Sequence, residues 1–260
     1  MIERLRLSAT RGIERVRILI LDIETKPAIV YSWGMFNQSF SPSQVIDWGG
    51  VLCFAAKWHG EDETKFWAEW KGRERMIKAA HRLLDQADAV VGWNSQRFDT
   101  RWLHAEFQRM GLPRPSPYVN VDLMRIQKRD AFMLSNKLES RRLWLGEEGK
   151  LDTGGFGLWK AVLAGDREAR KLMEEYNRQD VEITAEEFER MRSGGWIRGL
   201  PNHAIDGGHV CPSCGSDRLQ SRGFQYTKTR RYRRFQCRDC SAWSQAVHCE
   251  PGSASVKAVV

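Results

Sequence analysis

Ile18-Leu19-Ile20-Leu21-Asp22-Ile23-Glu24-Thr25 is an apolar run that ends in two carboxylates two residues apart. A continuous apolar run of this length, rich in β-branched residues, has the pattern of a buried strand. Side chains on a strand alternate faces, so Asp22 and Glu24 point the same way. Two carboxylates on one face repel unless a cation sits between them, and a hard divalent ion such as Mg²⁺ suits that place. The same residues also fit a strand that simply ends in solvent.

The rest of the 260-residue chain narrows the choice. Its length suits one large domain with a small module, or two ordinary domains. Hydrophobic content of 42% and charged content of 28% are those of a globular protein in water. The longest apolar runs are too short to span a bilayer. Residues 1–17 have no apolar signal core, so a cytoplasmic protein is expected. Six cysteines in a reducing compartment are expected as metal ligands or free thiols.

After the first strand, residues 26–50 form a long loop carrying Tyr31, Trp33, Phe36, Phe40 and Trp48. Its aromatics suit stacking on bases, or a lid packed on the core. Val51 to Trp58 and Thr64 to Trp70 read as two strands of a hairpin, antiparallel with the first. Arg73 to Gln86 reads as an amphipathic helix and Ala87 to Trp93 as a buried strand. Asp99 opens the next helix, where an N-cap is its ordinary role. A short strand at Tyr118 to Val121 leads to Asp122, expected as a cap for the helix after it. Helices are expected over 138–145, 156–163 and about 166–191. Asp180 falls on the inward stripe of the last one, four residues after Tyr176, and residues so spaced are helix neighbours. A carboxylate in a buried stripe costs free energy unless it is paired or ligates a metal.

Residues 193–208 are glycine-rich and read as a linker. Cys211-Pro-Ser-Cys214 and Cys237-Arg-Asp-Cys240 follow, separated by twenty-two residues. Tetrahedral Zn²⁺ takes four thiolates, and each C-x-x-C turn supplies two. A zinc ribbon over 209–245 with a tail at 246–260 is expected, too small to fold without its metal. Cys53 is expected as core, and Cys249 as no ligand.

The net charge of +8 is concentrated in this module. Arg218, Arg222, Lys228, Arg230, Arg231, Arg233, Arg234 and Arg238 lie together with no acid among them. Phe224, Tyr226, Tyr232 and Phe235 are interleaved with them. Cations among aromatics suit a single strand, phosphates on the former and bases on the latter. Arg222, Lys228, Arg230, Arg231, Tyr232, Arg233, Arg234 and Phe235 are therefore the candidate nucleic-acid contacts. Strand alternation is expected to put Tyr232 and Arg234 on one face, Arg231 and Arg233 on the other.

Leu21-Asp22-Ile23-Glu24-Thr25, Asn94 through Phe98-Asp99, and Tyr176-Asn-Arg-Gln-Asp180 together resemble the DEDD exonucleases of the ribonuclease H-like superfamily. The tyrosine four residues before the last aspartate is that of the tyrosine subclass. Asp152-Thr-Gly-Gly-Phe-Gly-Leu-Trp-Lys together with Glu175-Tyr-Asn-Arg-Gln-Asp180 is similar to DnaQ-like enzymes of phages and bacteria, some of which carry a C-terminal zinc ribbon. The resemblance implies an α/β domain over 1–192, a mixed five-stranded sheet with flanking helices. It implies 3′-5′ exonuclease activity with two Mg²⁺ or Mn²⁺ ions held by Asp22, Glu24, Asp99 and Asp180, and water positioned by Tyr176. The implied substrate is DNA, with RNA as the alternative. No polymerase domain is expected in these 260 residues, so a polymerase or other replication protein is the expected partner in trans. Two other readings are a nucleic-acid-binding protein without catalysis and a zinc-ribbon adaptor that contacts protein.

Overall fold

The computed structural model describes residues 16–151, 153–200 and 209–252. The apolar run forms β1 (Ile18–Lys26), and β2 (Ile29–Val30) pairs with β3 (Val45–Asp47) as a separate small hairpin. β4 (Gly50–Trp58) and β5 (Lys65–Ala68) follow, then α1 (Arg73–Asp85), β6 (Ala89–Gly92), α2 (Asp99–Arg109) and β7 (Val119–Asp122). Four helices complete the domain: α3 (Leu123–Asp130), α4 (Leu138–Trp144), α5 (Phe156–Leu163) and α6 (Arg167–Ser193).

The main sheet has the order β5-β4-β1-β6-β7. It is antiparallel across β5, β4 and β1, and parallel across β1, β6 and β7. This is the expected mixed five-stranded sheet with flanking helices. The second hairpin strand is shorter than the 64–70 expected, because Glu69–Lys71 closes as a 3₁₀ turn.

Strand alternation explains both layers. Leu19, Leu21 and Ile23 pack with Phe54, Ile77, Leu84, Leu103 and Phe107, the side covered by α1 and α2. Ile18 and Ile20 pack with Val91, Val121, Leu123, Val181 and Phe188, the side covered by α3 and α6. Each such side chain contributes about 1.5–3 kcal/mol on burial. Asp22 and Glu24 continue the even-numbered row, so they face α6.

The C-terminal part is a three-stranded antiparallel sheet, β10-β9-β8, from β8 (Leu219–Tyr226), β9 (Arg231–Cys237) and β10 (Trp243–Gln245). Cys211, Cys237, Cys240 and Ala242 form its small core. The described part of the glycine-rich stretch packs down rather than hanging free. Ile197 and Leu200 are buried against the α6 side of the main sheet. Residues 201–208 lie outside the described residues, as does Asp152. Gly195 has φ +73°, and a Cβ there would meet the Ser241 carbonyl oxygen at 3.1 Å. Only a residue without a side chain lets the end of α6 approach the cysteine module so closely. No helix among the described residues is long and apolar enough to cross a membrane.

Candidate active site

The site forms where β1 outruns its parallel neighbour. β1 and β6 pair only as far as Ile20 with Val91. Beyond that the strands separate, and crevices at the carboxyl ends of strands are where such sheets place ligands. The Ile23 N–H, which no strand receives, donates to Asp99 Oδ1 at 3.1 Å. Asp99 opens α2 but does not cap it, since Phe98 holds the cap position. Its buried carboxylate instead fixes the backbone between Asp22 and Glu24.

Asp22, Glu24 and Asp180 each offer a carboxylate oxygen, and these oxygens lie within 4.8 Å of one another. Asp180 reaches them from α6, where Asn177 sits one turn earlier. Asn177 Nδ2 donates to both the carbonyl oxygen of Asp22, at 3.2 Å, and its carboxylate Oδ2, at 2.8 Å. Asn177 is fully buried, so these bonds lock α6 to β1 at the site. The Tyr176 side chain lies beside Asp180, one helical turn before it. Lys150, from the loop before α5, places Nζ 2.7 Å from Asp180 Oδ2 and 5.5 Å from the centre of the Tyr176 ring.

Crowding of acids dominates the electrostatics. Burial pushes the Asp22 carboxyl well above its ordinary range, and the charges of Asp99, Asp180 and Glu24 add to that. Burial and the Asp180 charge raise Glu24 to about 8. Asp99 rises to about 7, again through burial, although its bond from Ile23 works the other way. Burial also raises Asp180, against the Lys150 ammonium. Carboxylates held this way gain from a nearby cation, because an opposite charge restores the ionised form.

The donor set fits a hard metal ion. All its atoms are carboxylate oxygens, the set that suits Mg²⁺ or Mn²⁺. Asp180 Oδ1 is buried with no hydrogen-bond partner. Such an orphaned acceptor is costly unless something fills its place. Asp99 is outside the three-carboxylate group, although its charge acts on Asp22. Asp122 caps α3 by accepting from the Arg125 N–H, as expected, and also takes N–H bonds from Asn94 and Gln96.

The sequence profile of the RNase H superfamily matches residues 48–191. The chain belongs to the RNase H superfamily. Its membership points to nuclease activity on nucleic acid and to divalent metal ions in that chemistry. The match begins after β1, so the Asp22-Ile23-Glu24 end of this RNase H-like domain is identified by geometry alone. No curated protein matches the chain.

Around the site, a cleft of about 600 Å³ is lined by Asp22, Trp93, Asn94, Met124, Lys128, Lys137, Lys150 and Tyr176 among others. The loop over 26–50 is not packed on the core. Trp33 is 99% and Phe36 81% exposed, and Tyr31 and Trp48 are also open. The packed-lid reading of these aromatics is therefore corrected.

The four cysteines converge as their spacing requires, with sulfurs within 4.8 Å of one another. Cys211 and Cys240 sulfurs are 3.5 Å apart, Cys214 and Cys237 3.7 Å. Tetrahedral Zn–S bonds of about 2.3 Å imply a sulfur spacing of about 3.8 Å. The cluster is thus compatible with a zinc ribbon. Cys53 is buried core, and Cys249 is exposed.

The basic stretch is more internally paired than its composition implies. Arg218 bonds Asp239 at 2.6 Å and Arg233 bonds Glu250 at 2.9 Å. Arg222 binds the side-chain oxygen of Gln236. Arg231 and Arg233 share a face, as expected, and both stack over Phe224 at 4.9 and 4.6 Å. Arg234 lies 4.7 Å over the Trp243 ring, and Phe235 meets His209 edge-on. Tyr232 is half-buried, while Lys228 and Arg230 are exposed at the β8–β9 turn.

Lys150 and Asn177 are the site residues that sequence reasoning did not assign. Asn177 lies inside the Tyr176–Asp180 motif, so the helical offset to Asp180 was the available signal. Lys150 sits in a loop with no periodicity, and nothing local marks it.

Proposed function

We propose that this chain is a divalent-metal-dependent 3′-5′ exonuclease of the DEDD class, tyrosine subclass, hydrolysing phosphodiester bonds of DNA. The supporting observation is the meeting of Asp22, Glu24 and Asp180 around an orphaned carboxylate oxygen, with Tyr176 beside them in the cleft wall. Asp22, Glu24 and Asp180 would hold two Mg²⁺ or Mn²⁺ ions, with Asp99 assisting through water. Such ions supply charge stabilisation for the attacking and leaving oxygens of an in-line displacement. The chain's own residues arrange the rest. Asn177 fixes the Asp22 carboxylate, and Asp99 fixes the backbone that carries it. Tyr176, at the cleft wall, orients the attacking water with its hydroxyl. A buried hydrogen-bonded frame of this kind lets the acids act without rearranging. The product is a nucleoside monophosphate released from a 3′ end. The reading includes a nuclease domain to residue 192, a zinc ribbon over 209–245 holding one structural Zn²⁺, and work beside a polymerase in replication, proofreading or repair.

The test uses end-labelled single-stranded DNA, duplex DNA and RNA, each with and without Mn²⁺. Wild-type protein should shorten labelled DNA from the 3′ end only when Mn²⁺ is present. Asp22→Ala protein that digests DNA at the wild-type rate would overturn the reading.

A further inference from the structure

We propose that a single nucleic-acid strand leaving the active-site cleft runs over α3 to the cleft beneath the cysteine module, held along the way by Lys128, Arg125, Arg198 and Arg234. The proposal rests on the nuclease reading and names the path of its substrate.

Three cavities follow one another along this line, the first two lined by different sides of α3 and the last two sharing Arg198. Lys128 and Met124 of α3 line the active-site cleft. Arg125, Ile126 and Arg129, on the next side of the same short helix, line a groove of about 310 Å³ along β7. Arg198 closes the far end of that groove and also lines a cleft of about 540 Å³ between residues 195–200 and the cysteine module. Arg234 and Trp243 form the module's wall of that second cleft. One arginine therefore belongs to both spaces, and one helix separates the first space from the active site.

The charges along this line are available. Arg125, Lys128 and Arg198 are exposed and form no ion pair among the described residues. Arg129 is paired with Asp130 at 2.5 Å, so it is not counted. Arg234 has its guanidinium over Trp243 and no acidic partner among the described residues. The acid lining the β7 groove is Asp122, whose two carboxylate oxygens already accept the N–H groups of Asn94, Gln96 and Arg125. Glu139 lines the active-site cleft, where Lys137 accompanies it. Elsewhere in the module, Arg218 and Arg233 are committed to acids, and Arg234 is the module cation that lines this path. Unpaired cations spaced along one line of the surface are what a phosphate backbone requires. An acidic protein would instead need fixed partners for arginines, and its binding would not track strand length.

The experiment measures binding of a fluorescent single-stranded 20-mer across a salt series by full-length Asp22→Asn protein, which cannot cut it. Added to that background, Arg125→Ala with Arg198→Ala should weaken binding at least tenfold at low salt. It should also flatten the log–log salt slope by about 1.4, or about 0.7 per phosphate contact. Arg75→Ala with Lys78→Ala, which removes the same charge from exposed positions on α1, should leave the slope as it was. An unaltered slope in the Arg125/Arg198 pair, or an equal fall in the α1 pair, would overturn the path. If wild-type protein cuts no strand in Mn²⁺ while the slopes still differ as described, the exonuclease reading fails and the path stands.

Discussion

Lys150 Nζ stands 2.7 Å from Asp180 Oδ2, while Asp180 Oδ1 is buried and unbonded. The lysine thus neutralises one side of the acidic cluster and leaves the other side to a cation. Removing its ammonium leaves three crowded carboxylates with no counter-charge. Lys150→Met should therefore destabilise the metal-free protein by about 1–3 kcal/mol, the worth of a hydrogen bond to a charged group. The loss should shrink when Mn²⁺ is added. Thermal melts in EDTA and in Mn²⁺ check this, and equal losses in both would refute it.

The carboxyl of Glu24 titrates near 8 in the folded chain against 4.5 ordinarily. A raised value means the folded form binds the proton more tightly. Its contribution is complete below about pH 4.5 and is lost as the pH rises through about 8. Asp99, raised to about 7, acts in the same direction. Metal-free protein should melt higher at pH 5 than at pH 8. Glu24→Gln should flatten that slope, and saturating Mn²⁺ should do so in the wild type. A melting point that climbs from pH 5 to pH 8 in EDTA would contradict it.

The Lys150 ammonium lies over the Tyr176 ring, and Tyr176 lines the active-site cleft. If its hydroxyl orients water, Tyr176→Phe should lower turnover by about one to three orders of magnitude with little change in metal affinity. Manganese titration of activity separates the two quantities. A wild-type rate would make Tyr176 a packing residue.

The cysteine module should hold one zinc per chain. Cys214→Ser protein should lose most of that zinc, and near-ultraviolet dichroism of Trp243 should fall as the small core around Ala242 opens. A full equivalent of zinc in the variant, measured by elemental analysis, would rule out the four-cysteine site.

Much of this was legible in the chain itself. The β-branched apolar run before Asp22 and the helical stripe holding Asp180 mark a strand and a helix. Four cysteines in two C-x-x-C turns likewise leave little freedom. What was not legible depends on contacts between distant segments. Lys150 joins the site through a loop with no pattern. Asp99 bonds across to Ile23 rather than capping its own helix. Arg218 and Arg233 are neutralised by Asp239 and Glu250, which lie just past the basic stretch and were not counted with it. Ile197 and Leu200 look like linker residues by composition, yet they pack against β1 and β6 neighbours because two apolar side chains suffice to pin a short segment.

α6 carries Asp180 and Tyr176 near its middle and ends two residues before Gly195, the glycine that meets the cysteine module. Thirteen residues separate Asp180 from Ser193, about 20 Å of helix at 1.5 Å per residue. A helix does not stretch, so it works as a ruler between the cutting centre and the far hold. At the roughly 3.4 Å per nucleotide of a strand stacked as in a duplex, that span is at most about six nucleotides, and fewer for an extended single strand. Products shorter than this lose one of their two grips, so digestion should slow abruptly near that length and leave a ladder of short remnants.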